Sequence, residues 1–405
     1  MKPRFIKMTL IGVFCLGISS WNCADNPIEA DLNHLSITID TLSITEISGE
    51  SYWVAPNLGS NEKLFLGTKN NMDVPISFIG ISDHIYWDFY FDSTITFDSL
   101  HFILYSNDSL LSPTLTPNLY FQSDSQFSES KSTYLDFEGF STADWTDLGQ
   151  PNVKVNTDTS GIFTATELVW NIMNLVETLT DTADTNLIRS FAIQFTNNDT
   201  NFIELFSREA TNGPKDPKVK IYYHQTVEID EDSTYRDTTD VTIYSFGDLS
   251  IIDPGDIDQE SADLGLSNGL GLRSKMSMVY DSLTLLEGSL IREAKLSLPI
   301  DTTGIEESFT IIIDPIETAL DTAGAIFETD PYTGIGYPYR VSSNIEEGVL
   351  TISIKSFLQN VTLGNETNFG FKVMSDEKND PFEMIRFDLN GNDKKPVLEI
   401  IYAVD

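Results

Sequence analysis

The sequence predicts an all-β protein: two tandem jelly-roll-like β-sandwich domains with short helical turns, exported behind a secretion leader. Three observations lead there. Val, Ile, Phe, Tyr and Thr alternate with polar residues in many short stretches, such as Ile85–Phe91 and Phe309–Ile313, the period-two pattern of strands. Long amphipathic helical patterns are scarce. The second half of the chain also repeats the hydrophobic pattern of the first. With 405 residues and 40% hydrophobic content, there is material for two cores and too much apolar surface for wholesale disorder.

The N-terminus reads as a leader. Lys2, Arg4 and Lys7 precede an apolar stretch from Met8 to Ile18, too short to span a bilayer comfortably. The segment Ser20-Trp21-Asn22-Cys23 resembles a relaxed bacterial lipobox, which makes Cys23 the expected lipidation site. Cys15 is the poorer candidate, because Phe14 precedes it. The alternative is a plain signal peptide with an incidental cysteine. Acyl chains on Cys23 would anchor the protein, since each buried methylene contributes about 0.8 kcal/mol. Residues 1–22 are thus the expected signal peptide, and residues 23–34 a polar tether.

The internal repeat is the most informative feature of the remaining chain. Pro217-Lys-Val-Lys-Ile-Tyr-Tyr223 matches Pro396-Val-Leu-Glu-Ile-Ile-Tyr402. Phe202–Leu205 matches Phe382–Ile385, and Ser190–Phe195 matches Asn368–Val373. Leu168, Trp170, Ile172, Leu175, Val176 and Leu179 match Leu350, Ile352, Ile354, Phe357, Leu358 and Val361. In that pair the spacing switches from two to helical, which predicts a strand running into a helical turn. Phe97, Leu100, Phe102 and Leu104 mirror Ile291, Ala294, Leu296 and Leu298, and Leu64-x-Leu66 mirrors Leu264-x-Leu266. The first copy carries extra residues, with Ser106–Ser132 as the expected loop insertion. These matches place one sandwich at 35–225, an acidic linker at 226–239 and a second sandwich at 240–405.

The repeat resembles the DNRLRE-type module of bacterial exported proteins, a jelly roll related to carbohydrate-binding modules. Leu64-Phe-Leu-Gly67, Ile291-Arg-Glu-Ala-Lys-Leu-Ser-Leu298, Ser207-Arg208-Glu209 and the two closing strands carry the resemblance. It implies display on an exported protein and points to polysaccharide as a ligand class.

Charge and composition exclude several functions. Sixty-two Asp and Glu against 24 Lys and Arg leave a formal net charge of -38, which repels nucleic acid and anionic lipid. Both cysteines lie in the first 23 residues, so disulfides, cysteine metal sites and cysteine catalysis are excluded from the folded body. The four histidines, His34, His84, His101 and His224, sit in no recognisable nucleophile context. The chain therefore reads as a binding protein rather than an enzyme.

Two kinds of site remain. On Ile85–Phe91, read as a strand, Ile85, Trp87, Phe89 and Phe91 face the core while Tyr86 and Tyr90 face outward as a sugar-stacking platform. Tyr337 and Tyr339 offer a second set beside Gly334 and Gly336. Ordinary packing of these tyrosines is the alternative. Asp256, Asp258 and Glu260 cluster oxygen ligands suited to structural Ca²⁺, the one cofactor suggested, with turn chemistry as the alternative. Asp388–Asp393 reads as a hairpin turn.

The expectation is an outer-membrane or cell-surface lipoprotein. Its partners are the membrane, through the N-terminal lipid, and a polysaccharide or an envelope protein. The competing expectations are a structural subunit of an envelope assembly without a small ligand and, third, a polysaccharide-processing enzyme.

Overall fold

A computed structural model describes residues 38–404, apart from 110, 112–115, 125–126, 182, 185–186, 197–200, 212–213, 231–232, 254–263, 279–285, 302–308, 319–325, 337, 343–347 and 388–394. Strands take up 54% of the chain and helices 9%, so the protein is an all-β sandwich fold. The first half carries β1 (Thr38–Ile44), β2 (Ile47–Val54), β3 (Lys63–Lys69), β4 (Met72–Ile81), β5 (Ile95–Ser106), β6 (Asn118–Gln122), β7 (Thr146–Asp147), β8 (Asn152–Thr157), β9 (Phe163–Asn171), β10 (Ser190–Gln194), β11 (Phe202–Phe206) and β12 (Lys218–Asp230). The second carries β13 (Ser233–Asp253), β14 (Leu264–Leu266), β15 (Leu272–Met278), β16 (Leu290–Asp301), β17 (Thr310–Pro315), β18 (Ile326–Phe327), β19 (Tyr339–Ser342), β20 (Val349–Ser353), β21 (Phe371–Ser375), β22 (Ile385–Phe387) and β23 (Val397–Val404). Helices α1 (Val176–Leu179) and α2 (Lys355–Thr362) follow β9 and β20.

Strand pairing repeats from one half to the other. Phe102 stands opposite Val219 and Trp170, and Leu296 opposite Leu398 and Ile352. Even a β-bulge is shared. Asp98 is the extra residue between Phe97, opposite Tyr223, and Ser99, opposite Tyr222. Arg292 is its counterpart between Ile291, opposite Tyr402, and Glu293, opposite Ile401. The strand-to-helix switch recurs too: the Ile172 amide donates to Leu100 O at 2.9 Å and the Ile354 amide to Ala294 O at 3.0 Å. One correspondence differs by two residues. Ile203 and Leu205 face Leu66 and Leu64, whereas Ile385 and Phe387 face Leu266 and Leu264. Phe202 and Phe382 are therefore not equivalents; their rings touch at 5.0 Å where the sandwiches meet.

The copies exchange their opening strands. β1 pairs with β23 and β2 with β15, so residues 38–54 complete the second sandwich, and Ile44 and Ile47 enter its core. The first part of β13 pairs with β12 and the later part with β4, so β13 completes the first sandwich, with Ile243 in that core. The boundaries expected at 35–225 and 240–405 are corrected accordingly. Residues 226–230 and 233–239, expected as a linker, instead belong to the two strands of the β12–β13 hairpin. Asp237 on it is exposed, so no burial cost opposes its charge. Alternation dictates which side chains face a core, but not which sheet edge a strand joins.

Where it pairs with β4, β13 carries a second bulge. Phe246 is the extra residue between Ser245, opposite Ile81, and Gly247, opposite Gly80. Its ring packs on Gly80, where a Cβ would lie 2.4 Å from it.

Each sandwich has one outer face covered. On the first, Phe127, Phe137, Phe140 and Trp145 pack over Phe78. The insertion expected as loop, Ser106–Ser132, supplies Phe127 of this cover and also β6, which pairs with β10, while the other three aromatics follow it in sequence. On the second, Tyr332 and Phe327 pack over Tyr52 and Val54. Among the described residues no such aromatic cover lies over the opposite outer faces, β13-β12-β5-β9 in the first sandwich and β1-β23-β16-β20 in the second.

Candidate functional site

The tyrosines expected to form a platform do not form one. Ile85–Phe91 is a 3₁₀ helix, not a strand. With three residues per turn, Ile85, Asp88 and Phe91 align toward solvent, and Ile85 and Phe91 are 69% and 62% exposed. Trp87 is buried, while Tyr86, Phe89 and Tyr90 pack against the first core. Tyr86 stacks between His84 and Phe89 at 4.2 and 5.2 Å, and Tyr90 meets Phe97 at 5.6 Å. The assignment of Ile85 and Phe91 to the core is thus reversed, because a run that is apolar or aromatic except at Asp88 fits period two and period three equally. Tyr339 packs against the second core, and its hydroxyl accepts the Phe357 amide at 3.2 Å. That amide lies in the first turn of α2, where backbone donors lack partners. Tyr337, Asp256, Asp258, Glu260, Cys23 and the Asp388–Asp393 turn lie outside the described residues.

Among the described residues, Glu129, Glu209 and Asp248 form one carboxylate group, with ligand oxygens within 4.8 Å of one another. Arg208 stands among them. Its guanidinium reaches Glu129 Oε2 at 3.2 Å, and its amide donates to Asp248 Oδ2 at 2.8 Å. Glu129 Oε1 accepts the Asp248 amide at 3.1 Å. Burial, then the neighbouring carboxylates, holds the Asp248 carboxyl well above its ordinary range. Glu209 is raised by burial and then by Glu129. The arrangement clamps two loops onto the corner of β13. Ser207-Arg208-Glu209, a strand motif in the sequence, is thus part of this clamp. Beside it, a cleft of about 570 Å³ opens between the sandwiches, lined by Asn57, Glu129, Glu209, Asn268, Arg273 and Arg340. Among the described residues no aromatic side chain lines it.

His224 Nδ1 meets Asp98 Oδ1 at 3.0 Å, the geometry of a base and its orienting acid. Arg236 shares that same oxygen, so the contact acts as an ionic bracket at the root of the β12–β13 hairpin.

The open face of the first sandwich carries the richest constellation. Outward positions of β12 hold Lys218, Lys220 and Tyr222, since Val219 and Ile221 between them are buried. Opposite stand Tyr244 and Asp240 on β13 and His101 on β5. Tyr105 faces Glu167 on β9, which faces Lys154 on β8. The side chains interlock. Lys218 Nζ lies 4.6 Å from the Tyr105 ring centre and 5.6 Å from that of Tyr244. Lys220 Nζ is 4.9 Å from Tyr222 and 3.0 Å from Asp240. His101 meets Tyr222 edge-on at 5.3 Å. Tyr244 is 41% exposed. Burial, then Glu167, pushes the Tyr105 hydroxyl up to about 12, so it stays a donor at any physiological pH. Burial lowers both Lys218 and His101.

The second copy serves as an internal control. By strand pairing, Lys218, Lys220 and Tyr222 correspond to Val397, Glu399 and Ile401. Tyr105 corresponds to Pro299, and Glu167 to Val349. No aromatic residue takes any of those places in the second copy, although the backbone pairing is the same. Sequence reasoning quoted Lys218–Tyr223 only as a closing strand. Comparing outward positions between copies would have exposed the difference. His101, one of the four histidines, stands on this face.

Among the described residues no helix is long and apolar enough to cross a membrane. No protein-family model matches the chain, and no curated protein is similar enough to count as a relative.

Proposed function

We propose that this protein is an exported, lipid-anchored envelope protein that binds polysaccharide through the open face of its first sandwich. The observation that carries the reading is the set of Tyr105, Tyr222 and Tyr244 interleaved with Lys220 and His101 on the outward side of one sheet, with the buried Lys218 ammonium held between Tyr105 and Tyr244. Aromatic rings give sugar rings an apolar surface, and ammonium and hydroxyl groups at the rim supply directed hydrogen bonds. The DNRLRE-type resemblance of both halves supports the same ligand class. Lipidation at Cys23 supplies the anchor, and the strand exchange makes the second sandwich the anchored one, since β1 belongs to it. The first sandwich is then displayed outward.

Affinity electrophoresis through gels containing neutral or uronate-bearing polysaccharides tests the reading. Retardation by at least one polymer that is lost in Tyr222→Ala/Tyr244→Ala supports it. Equal retardation of the parent and that variant, or none with any polymer, refutes it.

A further inference from the structure

We propose that the second sandwich rests on the membrane surface through an apolar patch at its tether end, with the lipid bilayer as partner. The inference rests on the reading of Cys23 as the anchor. Ile39 on β1, Ala403 on β23 and Leu290 on β16 stand opposite one another, so they share one row of the open face. Ile39 is 55% exposed and Leu290 63%. Leu363, 56% exposed, closes α2 beside that row. Its neighbour Thr362 accepts the Gly288 amide at 3.0 Å, and Gln359 Nε2 donates to Ser289 O at 3.0 Å.

Two observations select lipid as the occupant. The described chain begins at Thr38, next to Ile39, and Cys23 lies fifteen residues upstream. Fifteen extended residues reach at most about 50 Å. An anchored chain therefore keeps this end close to the bilayer, at an effective concentration where a few aliphatic side chains suffice.

The second observation is the other copy. The row Ile39–Ala403–Leu290 corresponds to Thr238–His224–Thr96 in the first sandwich, and Leu363 to Asp181. All four places are polar there. These positions face away from the core in both copies, so core packing does not account for the difference. Apolar residues occupy them only in the copy that receives the tether. The net charge of -38 selects zwitterionic over anionic headgroups.

The test uses the chain from residue 24, held by an N-terminal histidine tag on phosphatidylcholine vesicles containing a nickel-chelating lipid. That chain has no cysteine, so a single environment-sensitive probe can be placed through Leu363→Cys, or through Asp181→Cys as control. The probe at 363 is expected to shift to the blue on vesicles and to be quenched by doxyl-labelled acyl chains. The probe at 181 should do neither. Adding Ile39→Asp and Leu290→Asp to Leu363→Cys should abolish the shift while the thermal midpoint holds. A water-like probe at 363 on vesicle-bound protein overturns the proposal. The tag replaces the lipid, so this result is separate from whether Cys23 is acylated, which mass spectrometry of membrane-extracted protein decides.

Discussion

Ile44, in the first strand, stands opposite Leu398, in the last, and both lie in the core of the second sandwich. The start and the end of the chain thus close one sheet, while the middle strand β13 closes the other. Ile44, Ile47, Tyr52, Trp53 and Val54 are all buried. At about 1.5–3 kcal/mol each, their burial amounts to roughly 10 kcal/mol, comparable with the whole stability of a domain. Fragment 38–232 lacks β13, and fragment 233–405 lacks β1 and β2. Each is expected to be unfolded alone, and the pair to regain a cooperative melt when refolded together. Circular dichroism and size exclusion check this; a stably folded 233–405 fragment would contradict the exchange.

The seam of the exchange passes through Gly271. The Val54 amide donates to its carbonyl at 2.8 Å. Its φ is +64°, and a Cβ would lie 1.8 Å from Val54 O. Gly271→Ala must therefore move backbone as well as adopt a left-handed conformation, and should cost more than about 2 kcal/mol. Gly288, at φ +75°, has nothing within 4 Å of its would-be Cβ, so Gly288→Ala should lose only the conformational part, about 1–2 kcal/mol. Urea titration of both variants measures the gap. Equal losses would show that Val54 does not press on Gly271.

Asp248 gives the protein a readable pH dependence. Burial, then Glu209 and Glu129, raises its carboxyl well above the ordinary 3.8. A carboxyl raised in the folded state binds its proton more tightly there than in the unfolded chain. The destabilising effect of its ionisation is full above the folded pKa and is relieved as pH falls toward 3.8. The parent should therefore gain thermal stability relative to Asp248→Asn as pH is lowered from 7 toward 5. Parallel melting profiles, or a relative gain with rising pH, would contradict this.

Much of the fold was legible in the sequence because hydrophobic spacing records which face is buried. The matches Phe102/Leu296, Trp170/Ile352 and Val219/Leu398 survive as equivalent pairing positions. The strand exchange was not legible, because Ile44 alternates in the same way whichever sheet it joins. At Ile85–Phe91 six apolar or aromatic residues, broken only by Asp88, gave no period to choose from. The candidate site was hidden differently. Lys218, Lys220 and Tyr222 look like the solvated side of an ordinary strand, and only their spatial meeting with Tyr105, His101 and Tyr244 from β5 and β13 makes them a surface.

Hydroxyl-radical footprinting with a retained polysaccharide tests the central claim most directly, because it reports where ligand lies on the unmodified protein. Tyr105, Tyr222 and Tyr244 should be protected, while Tyr86 and Ile401 are not. Each tyrosine truncated to Ala should weaken binding by up to about tenfold, the equivalent of a contact near 1 kcal/mol. Protection confined to Arg273, Arg340 and their neighbours in the cleft between the sandwiches, with the three tyrosines still fully oxidised, would contradict it.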